Sequence, residues 1–307
     1  MHYLGIEIGG TKLQVGVGPD DGRLRGLWRG AVDLAAGPEG IRRQIIEAVP
    51  IALGEAGLTR DQVRGVGIGF GGPVDDNTRT VIKSHQIEGW DDFPLADWIS
   101  DAVELPAVLG NDADVAGLAE ATHGAGKGLS PIFYMNIGSG IGGGLIIDGE
   151  IYRGVGRGAA EIGHLLMNVD DDDFTLEQVA SGWGIEHRYV GHTSSTSRVR
   201  VPEIFRLANE VTISYSPAGH IVSGATNCLA RALCHVITLL CPRRIVIGGG
   251  VSLLGDQLFE PIRGQVAEMC FRPFAGLTDI VPAALGEEVV VHGAIRLARQ
   301  KLGEQGG

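Results

Sequence analysis

The sequence predicts an α/β protein of two lobes, with mixed sheets flanked by helices. Strand-like runs punctuated by glycine at 5–10, 65–72, 137–144 and 248–250 alternate with helix-like stretches at 39–57, 92–103, 113–123, 176–190, about 202–212 and 222–241. Strands alternating with helices in this way build α/β domains. Two segments repeat one design, GIEIGGTKLQVGV from residue 5 and MNIGSGIGGGLII from residue 135, each a strand, a glycine turn and a second strand. The chain has 307 residues, 44% hydrophobic and 20% charged, which is enough for two modest domains with separate cores. The repeat puts the expected boundary near residue 114. It gives a first lobe over 1–113, a second over 114–290, and a terminal helix over about 291–307 that packs back on the first.

The formal net charge of −12 argues against a general binder of nucleic acid or anionic membranes, both of which need basic surface. The start, MHYLGIEIGG, has no basic region ahead of an apolar core, and no later stretch offers about 18 uninterrupted apolar residues. A cytoplasmic protein working on small molecules is expected, with no nucleic acid and no membrane as partner. Cys228, Cys234, Cys241 and Cys270 show no metal-ligand spacing and read as small core residues.

In the first strand Leu4, Ile6 and Ile8 alternate with Gly5, Glu7 and Gly9, the pattern of a half-buried strand, and the run breaks into Gly9-Gly10-Thr11-Lys12. Glu7 therefore ends an apolar strand beside glycines suited to wrapping a phosphate. It either manages a metal-phosphate group or is the polar face of a strand.

A second strand ends at Leu109, so Asn111 and Asp112 fall at the junction with a helix beginning near Asp114, where ligands collect in α/β folds. An aspartate there can take a proton from a hydroxyl as phosphate arrives in line. The plain alternative is that Asn111, Asp112 or Asp114 only caps the helix.

Gly138 to Gly143 satisfy G-x-G-x-x-G, but GLIIDGEIYRG follows with an Asp-Gly turn, so a hairpin and not a dinucleotide-binding helix is expected. Hairpin glycines still present bare N–H groups to an anion. In RRIVIGGGVS a buried strand ends in Gly248-Gly249-Gly250, which admits an adenosine close to the backbone.

Farther on, Glu161 and His164 in GAAEIGHLLMN and Glu177 in TLEQVASG offer directional partners for sugar hydroxyls. The bland reading of Glu161 and His164 is a surface pair. A metal on that pair would need a second such motif, and none is visible. Asp170 to Asp173 read as a solvated loop.

Taken in order, GGTK, GFGGPV, GND, IGSGIGGGL, AAEIGH, LEQVASG, IVIGGGV and HGAIRLA resemble the ROK family of bacterial sugar kinases and regulators, in the actin-like ATPase (ribonuclease H-like) superfamily, from residue 3 to about 300. The resemblance implies two lobes closing over ATP and a hexose, and Mg²⁺-dependent phosphoryl transfer to a sugar hydroxyl, usually O6. It implies Asp112 as base and Gly72, Gln86, Asn111, Glu161, His164 and Glu177 as sugar contacts. Gly9, Gly10, Thr11 and Lys12 match the first phosphate loop and Gly138, Ser139 and Gly140 the second, with Glu7, Gly249 and Gly250 expected on the cofactor side. A homodimer is expected.

Three departures stand out. The family usually carries a zinc motif, CxCGxxGCxE, between the positions of His164 and Glu177; here LLMNVDDDDFTLE has no cysteine, so no structural zinc is expected. Gln86 replaces a usual sugar-binding Asn, and Glu7 replaces an Asp that usually orients the Mg²⁺ hydration shell. The alternative to a kinase is therefore a catalytically weak or inactive sugar-binding protein of ROK type. A ROK repressor would carry a helix-turn-helix ahead of the lobes, whereas the first phosphate hairpin here begins by residue 5.

Overall fold

The computed structural model describes residues 1–84, 88–156, 158–193, 197–210 and 216–303. The chain divides into two compact units. One comprises Met1–Gly128, Gly144–Ala159 and Ala284–Gly307, the other Leu129–Gly143 and Ala160–Ala283.

The first unit begins with the hairpin strands β1 (His2–Ile8), β2 (Lys12–Gly18) and β3 (Gly26–Ala31), followed by helix α1 (Gly37–Glu55) and strand β4 (Val63–Phe70). A two-residue pair, β5 (Val74–Asp75) and β6 (Thr80–Val81), precedes α2 (Leu95–Val103), β7 (Ala107–Asn111) and α3 (Asp112–Thr122). Next come β8 (Ile132–Ile137), β9 (Ile141–Ile147), β10 (Glu150–Ile151) and a small hairpin, β11 (Leu166–Val169) with β12 (Asp172–Thr175). Helices α4 (Leu176–Ala180), α5 (Gly182–Thr193), α6 (Val201–Glu210) and α7 (Pro217–Leu240) lead to β13 (Arg244–Gly248), α8 (Asp256–Met269), β14 (Asp279–Pro282) and α9 (Val289–Leu302).

The two large sheets share one topology. Their orders are β3-β2-β1-β4-β7 and β10-β9-β8-β13-β14. In each, a parallel trio, β1-β4-β7 or β8-β13-β14, is extended by antiparallel pairing at its outer strands, β1 with β2 and β2 with β3 in the first sheet, β9 with β10 in the second. The repeated strand-turn-strand segments are thus the equivalent hairpins β1-β2 and β8-β9.

The half-buried pattern of β1 becomes a strand buried on both faces. Leu4, Ile6 and Ile8 join Ile41 and Ile45 of α1 and Ile99 of α2 in one core, each large aliphatic side chain contributing about 1.5–3 kcal/mol by leaving water. The opposite face is covered by α9, and a Cβ on Gly67 would collide with the Ala294 carbonyl. That glycine lets helix and sheet backbones touch. A Cβ on Gly293 would likewise strike the Val115 carbonyl of α3. This close packing of α3 on α9 carries the first unit past residue 113, beyond the boundary expected near residue 114.

The single helix expected over 176–190 is two, α4 and α5, because Ser181 between them is extended (φ −71°, ψ 166°) and its hydroxyl accepts from the Gly184 N–H at 3.0 Å. By length and composition α7 could cross a membrane. Its Ile221, Leu229, Leu233 and Ile237 are instead buried in the second unit.

Candidate active site

In the first unit the turn after β1 closes through a hydrogen bond from the Gly9 N–H to the Lys12 carbonyl at 2.9 Å. The neighbouring Gly71 N–H donates to the Ile8 carbonyl at 2.8 Å, so two glycine-bearing chain segments meet where β1 ends. Glu7 is only 6% exposed. Its Oε1 lies 3.0 Å from the Lys12 ammonium, while Oε2 is buried with no hydrogen-bond partner. Burial pushes the Glu7 carboxyl up to about 7; the charge and hydrogen bond of Lys12 pull it down, and the negative charges of Asp112 and Glu287 push it up further. Glu7 is therefore no solvated strand face.

The β7–α3 junction separates two roles left open by the sequence. Asn111 is the helix cap: its Oδ1 accepts from the Ala113 and Asp114 N–H groups at 2.9 and 3.2 Å, and its Nδ2 donates to the Gly72 carbonyl at 3.0 Å. Asp112 follows as the first helical residue, with Oδ1 2.8 Å from the Ala113 nitrogen. Its other oxygen faces Gly71, 3.4 Å from where a Cβ would stand. Asp114 is buried and paired with Arg153, which also donates to the Val74 carbonyl at 3.2 Å, so Asp114 holds the fold of the first unit.

In the second unit the β8–β9 turn is closed by the Gly138 N–H to the Gly140 carbonyl at 2.9 Å and braced from the start of α5 by the Gly182 N–H to the Gly138 carbonyl at 2.8 Å. Glu177 of α4 reaches the same turn, its Oε2 accepting from the Ile141 N–H at 2.8 Å. A side chain at Gly140 would collide with that carboxylate. Gly249 sits at φ +86°, where a Cβ would stand 2.5 Å from the Ile137 carbonyl, so a bare backbone passes beside the end of β8. Glu161 and His164 are exposed at the two ends of one 3-10 turn, linked by the His164 N–H to the Glu161 carbonyl at 3.1 Å. Gly163 between them lets this turn rest on the Ile141 carbonyl of β9.

Within the first unit the structure thus gathers Glu7, Gly9, Lys12, Gly72, Asn111 and Asp112, while Gly10 lies in the turn and Thr11 is exposed. Within the second it gathers Gly138, Ser139, Gly140, Glu177 and Gly249; around Gly250 a Cβ would meet nothing within 4 Å. Gln86 lies outside the described residues. Two contributors lie outside the residues the sequence offered. The Glu287 carbonyl accepts from Lys12 Nζ at 2.9 Å and from Gln14 Nε2 at 3.3 Å, and a backbone carbonyl carries no side-chain signature. Gly163 had a signal, its place between Glu161 and His164.

Residues 3–301 match the sequence model of the ROK family. The chain belongs to the ROK family. Among relatives of this ROK protein, a glucokinase from Streptomyces coelicolor is 30% identical over 97% of each chain. The crystal structure of a ROK family glucokinase from Streptomyces griseus, in complex with glucose and AMPPNP, superposes with a TM-score of 0.81 at 29% identity, covering 98% of this chain and 100% of that one. A ROK hexokinase structure from Thermus thermophilus gives a TM-score of 0.81 at 28% identity over 99% and 100% of the two chains. The fold of this ROK protein is accordingly the two-lobed fold of these kinases.

Proposed function

We propose that this protein transfers the terminal phosphoryl group of ATP to a hexose hydroxyl, O6 of glucose or a related hexose, with Asp112 as general base. The observation that carries the reading is the division of labour at the β7–α3 junction. Asn111 accepts from both the Ala113 and Asp114 N–H groups and so caps α3, while Asp112 shares the Ala113 N–H through Oδ1 and turns Oδ2 toward Gly71 at the carboxyl edge of the sheet. Similarity to ROK glucokinases, one of them in complex with glucose and AMPPNP, supports the substrate pair.

The residues present fit a divalent cation and a nucleotide. Glu7 carries a buried carboxylate oxygen with no partner, close enough to Asp112 for the two negative charges to raise its pKa, which is a place for positive charge. Glu7 is the group that would orient Mg²⁺ and its waters, and Mg²⁺ there would supply neutralisation of charge on the phosphate oxygens. The glycine turns at Gly9-Gly10 and at Gly138-Ser139-Gly140 are assigned to the phosphates, and Lys12 adds a cation. Gly250, where a Cβ would meet nothing within 4 Å, is assigned with Gly249 to the nucleoside.

Asp112 accepts the proton from the sugar hydroxyl as the oxygen attacks phosphorus. Asn111, Gly72, Gln86, Glu161, His164 and Glu177 are assigned to the sugar, where paired donors and acceptors fix which hydroxyl is presented.

A coupled assay of ADP release over a panel of hexoses and N-acetylhexosamines tests this. Turnover of glucose or a close relative with ATP is expected. Tight sugar binding by calorimetry with no ADP release on any sugar would replace the kinase by a ROK-type sugar-binding protein.

A further inference from the structure

The β11–β12 hairpin carries a cluster that the proposed reaction does not use. Both residues of its turn adopt positive φ, 55° at Asp170 and 69° at Asp171, the conformation that joins two strands through a two-residue loop. Asp170 thereby meets His192, near the end of α5, and His220, in the first turns of α7. One ligand atom from each of the three lies within 4.8 Å of the others. Asp170 Oδ2 is 3.2 Å from His220 Nε2, and the two imidazole rings are 5.3 Å apart at their centroids.

The tautomer of His192 adds a second, independent observation. Its Nδ1 lies 3.1 Å from the Arg188 carbonyl. A carbonyl only accepts, so Nδ1 carries the proton and the neutral ring presents the Nε2 lone pair. A metal-ligating histidine is set up this way, its other nitrogen donating to a backbone carbonyl that fixes the ring and raises its basicity.

We propose that Asp170, His192 and His220 form a site for a zinc-class transition-metal ion that ties the β11–β12 hairpin to α5 and α7. Two imidazoles and one carboxylate suit zinc and its neighbours over the hard, oxygen-seeking Mg²⁺ and Ca²⁺. Tetrahedral zinc with bonds of about 2.0–2.2 Å needs ligand atoms roughly 3.3 Å apart, a spacing that Asp170 Oδ2 and His220 Nε2 already have at 3.2 Å. Arg188 stands 3.5 Å from the same Asp170 oxygen, and its charge weakens the site for a dication without occupying the imidazoles. The donor set contains no thiolate, so it is independent of the cysteine motif absent between His164 and Glu177. The hairpin runs in sequence from the turn bearing Glu161 and His164 to the helix bearing Glu177. A metal here would steady the segment that joins them.

Calorimetric titration of the chelator-treated full chain with ZnCl₂, beside His192→Ala, His220→Ala and Asp170→Asn, tests the site. One zinc per chain is expected, with affinity lowered at least about tenfold in each variant, and a zinc-dependent rise in melting temperature that His192→Ala loses. His192 is exposed, so its removal leaves the fold intact. Equal zinc affinity in parent and variants, as the cysteines or Glu7 with Asp112 would produce, overturns the proposal. So does the absence of bound zinc after equilibration with excess ZnCl₂.

Discussion

Lys12 reaches back across the Gly9-Gly10 turn to stand 3.0 Å from Glu7, and the same ammonium donates to the Glu287 carbonyl at 2.9 Å. One cation therefore joins the end of β1 to the segment entering α9. It neutralises one oxygen of Glu7 and leaves the other, buried Oε2, without a partner.

The pH dependence of stability follows from that imbalance. The folded-state pKa of Glu7, about 7, lies above its usual 4.5, chiefly through burial. The folded state thus holds this proton more tightly than the unfolded one. The stabilisation is full below the unfolded pKa and is lost as pH rises through the folded pKa. In protein free of nucleotide and Mg²⁺, stability should fall by up to about 3 kcal/mol between about pH 4.5 and about pH 8 relative to Glu7→Gln. Denaturant melts of parent and variant across that window check it, and parallel curves would show that Glu7 ionises normally.

Base and cap separate by mutation at adjacent positions. Asp112→Asn should lower kcat at least about a hundredfold and leave sugar binding within about tenfold, because the amide keeps the shape but cannot take the proton. Asn111→Ala should lower stability by about 1 kcal/mol through loss of the α3 cap. A kcat loss under about tenfold in Asp112→Asn, measured with a coupled assay, would remove Asp112 as base.

Glu120 should matter for stability out of proportion to its distance from Asp112 along α3. It is fully buried and accepts from the backbone N–H groups of Ala125 at 2.7 Å and of Ala284 and Leu285 at 2.9 Å each. Replacing it by Gln sets an NH₂ against at least one of those donors. The expected cost is about 2–3 kcal/mol. Thermal unfolding of Glu120→Gln checks this, and an unchanged melting temperature would show that the three bonds contribute nothing net.

How far the sequence carries the fold depends on whether the signal is local. The β1–β2 and β8–β9 hairpins are legible because glycine turns and apolar alternation sit in the same dozen residues. Helix α8 is not: Pro261 and Gly264 lower the helical propensity of DQLFEPIRGQVAEM, and burial of Leu258, Phe259, Ile262 and Val266 overrides them. The two-sided burial of β1 was equally hidden, since it depends on the arrival of α9, whose Val291 carbonyl comes up against Gly5. At the site, Asn111 and Asp112 were legible as a pair, but which one caps is decided by side-chain rotation. The bond from the Ile141 N–H to Glu177 and the Asp170–His192–His220 cluster join residues far apart in the chain, and no spacing rule reports such meetings.

The catalytic consequence of Glu7 is the remaining test. Its position is set by the end of β1 and by the Gly9 N–H bond to Lys12, which together fix how far the carboxylate reaches. If its unpartnered oxygen serves the hydration shell of Mg²⁺, the near-octahedral demand of that ion makes kcat more sensitive than nucleotide binding to the placement of the charge. Glu7→Asp should then keep or raise kcat with Mg²⁺, since the shorter side chain withdraws the charge by one methylene without removing it. Glu7→Gln should lower kcat at least about tenfold while relieving a buried, strained ionisation, so activity and stability move in opposite directions. A purely structural Glu7 predicts otherwise, with stability changing and kcat staying level. Measuring kcat and melting temperature on both variants separates the two, and unchanged kcat in a folded Glu7→Gln would take Glu7 out of the mechanism.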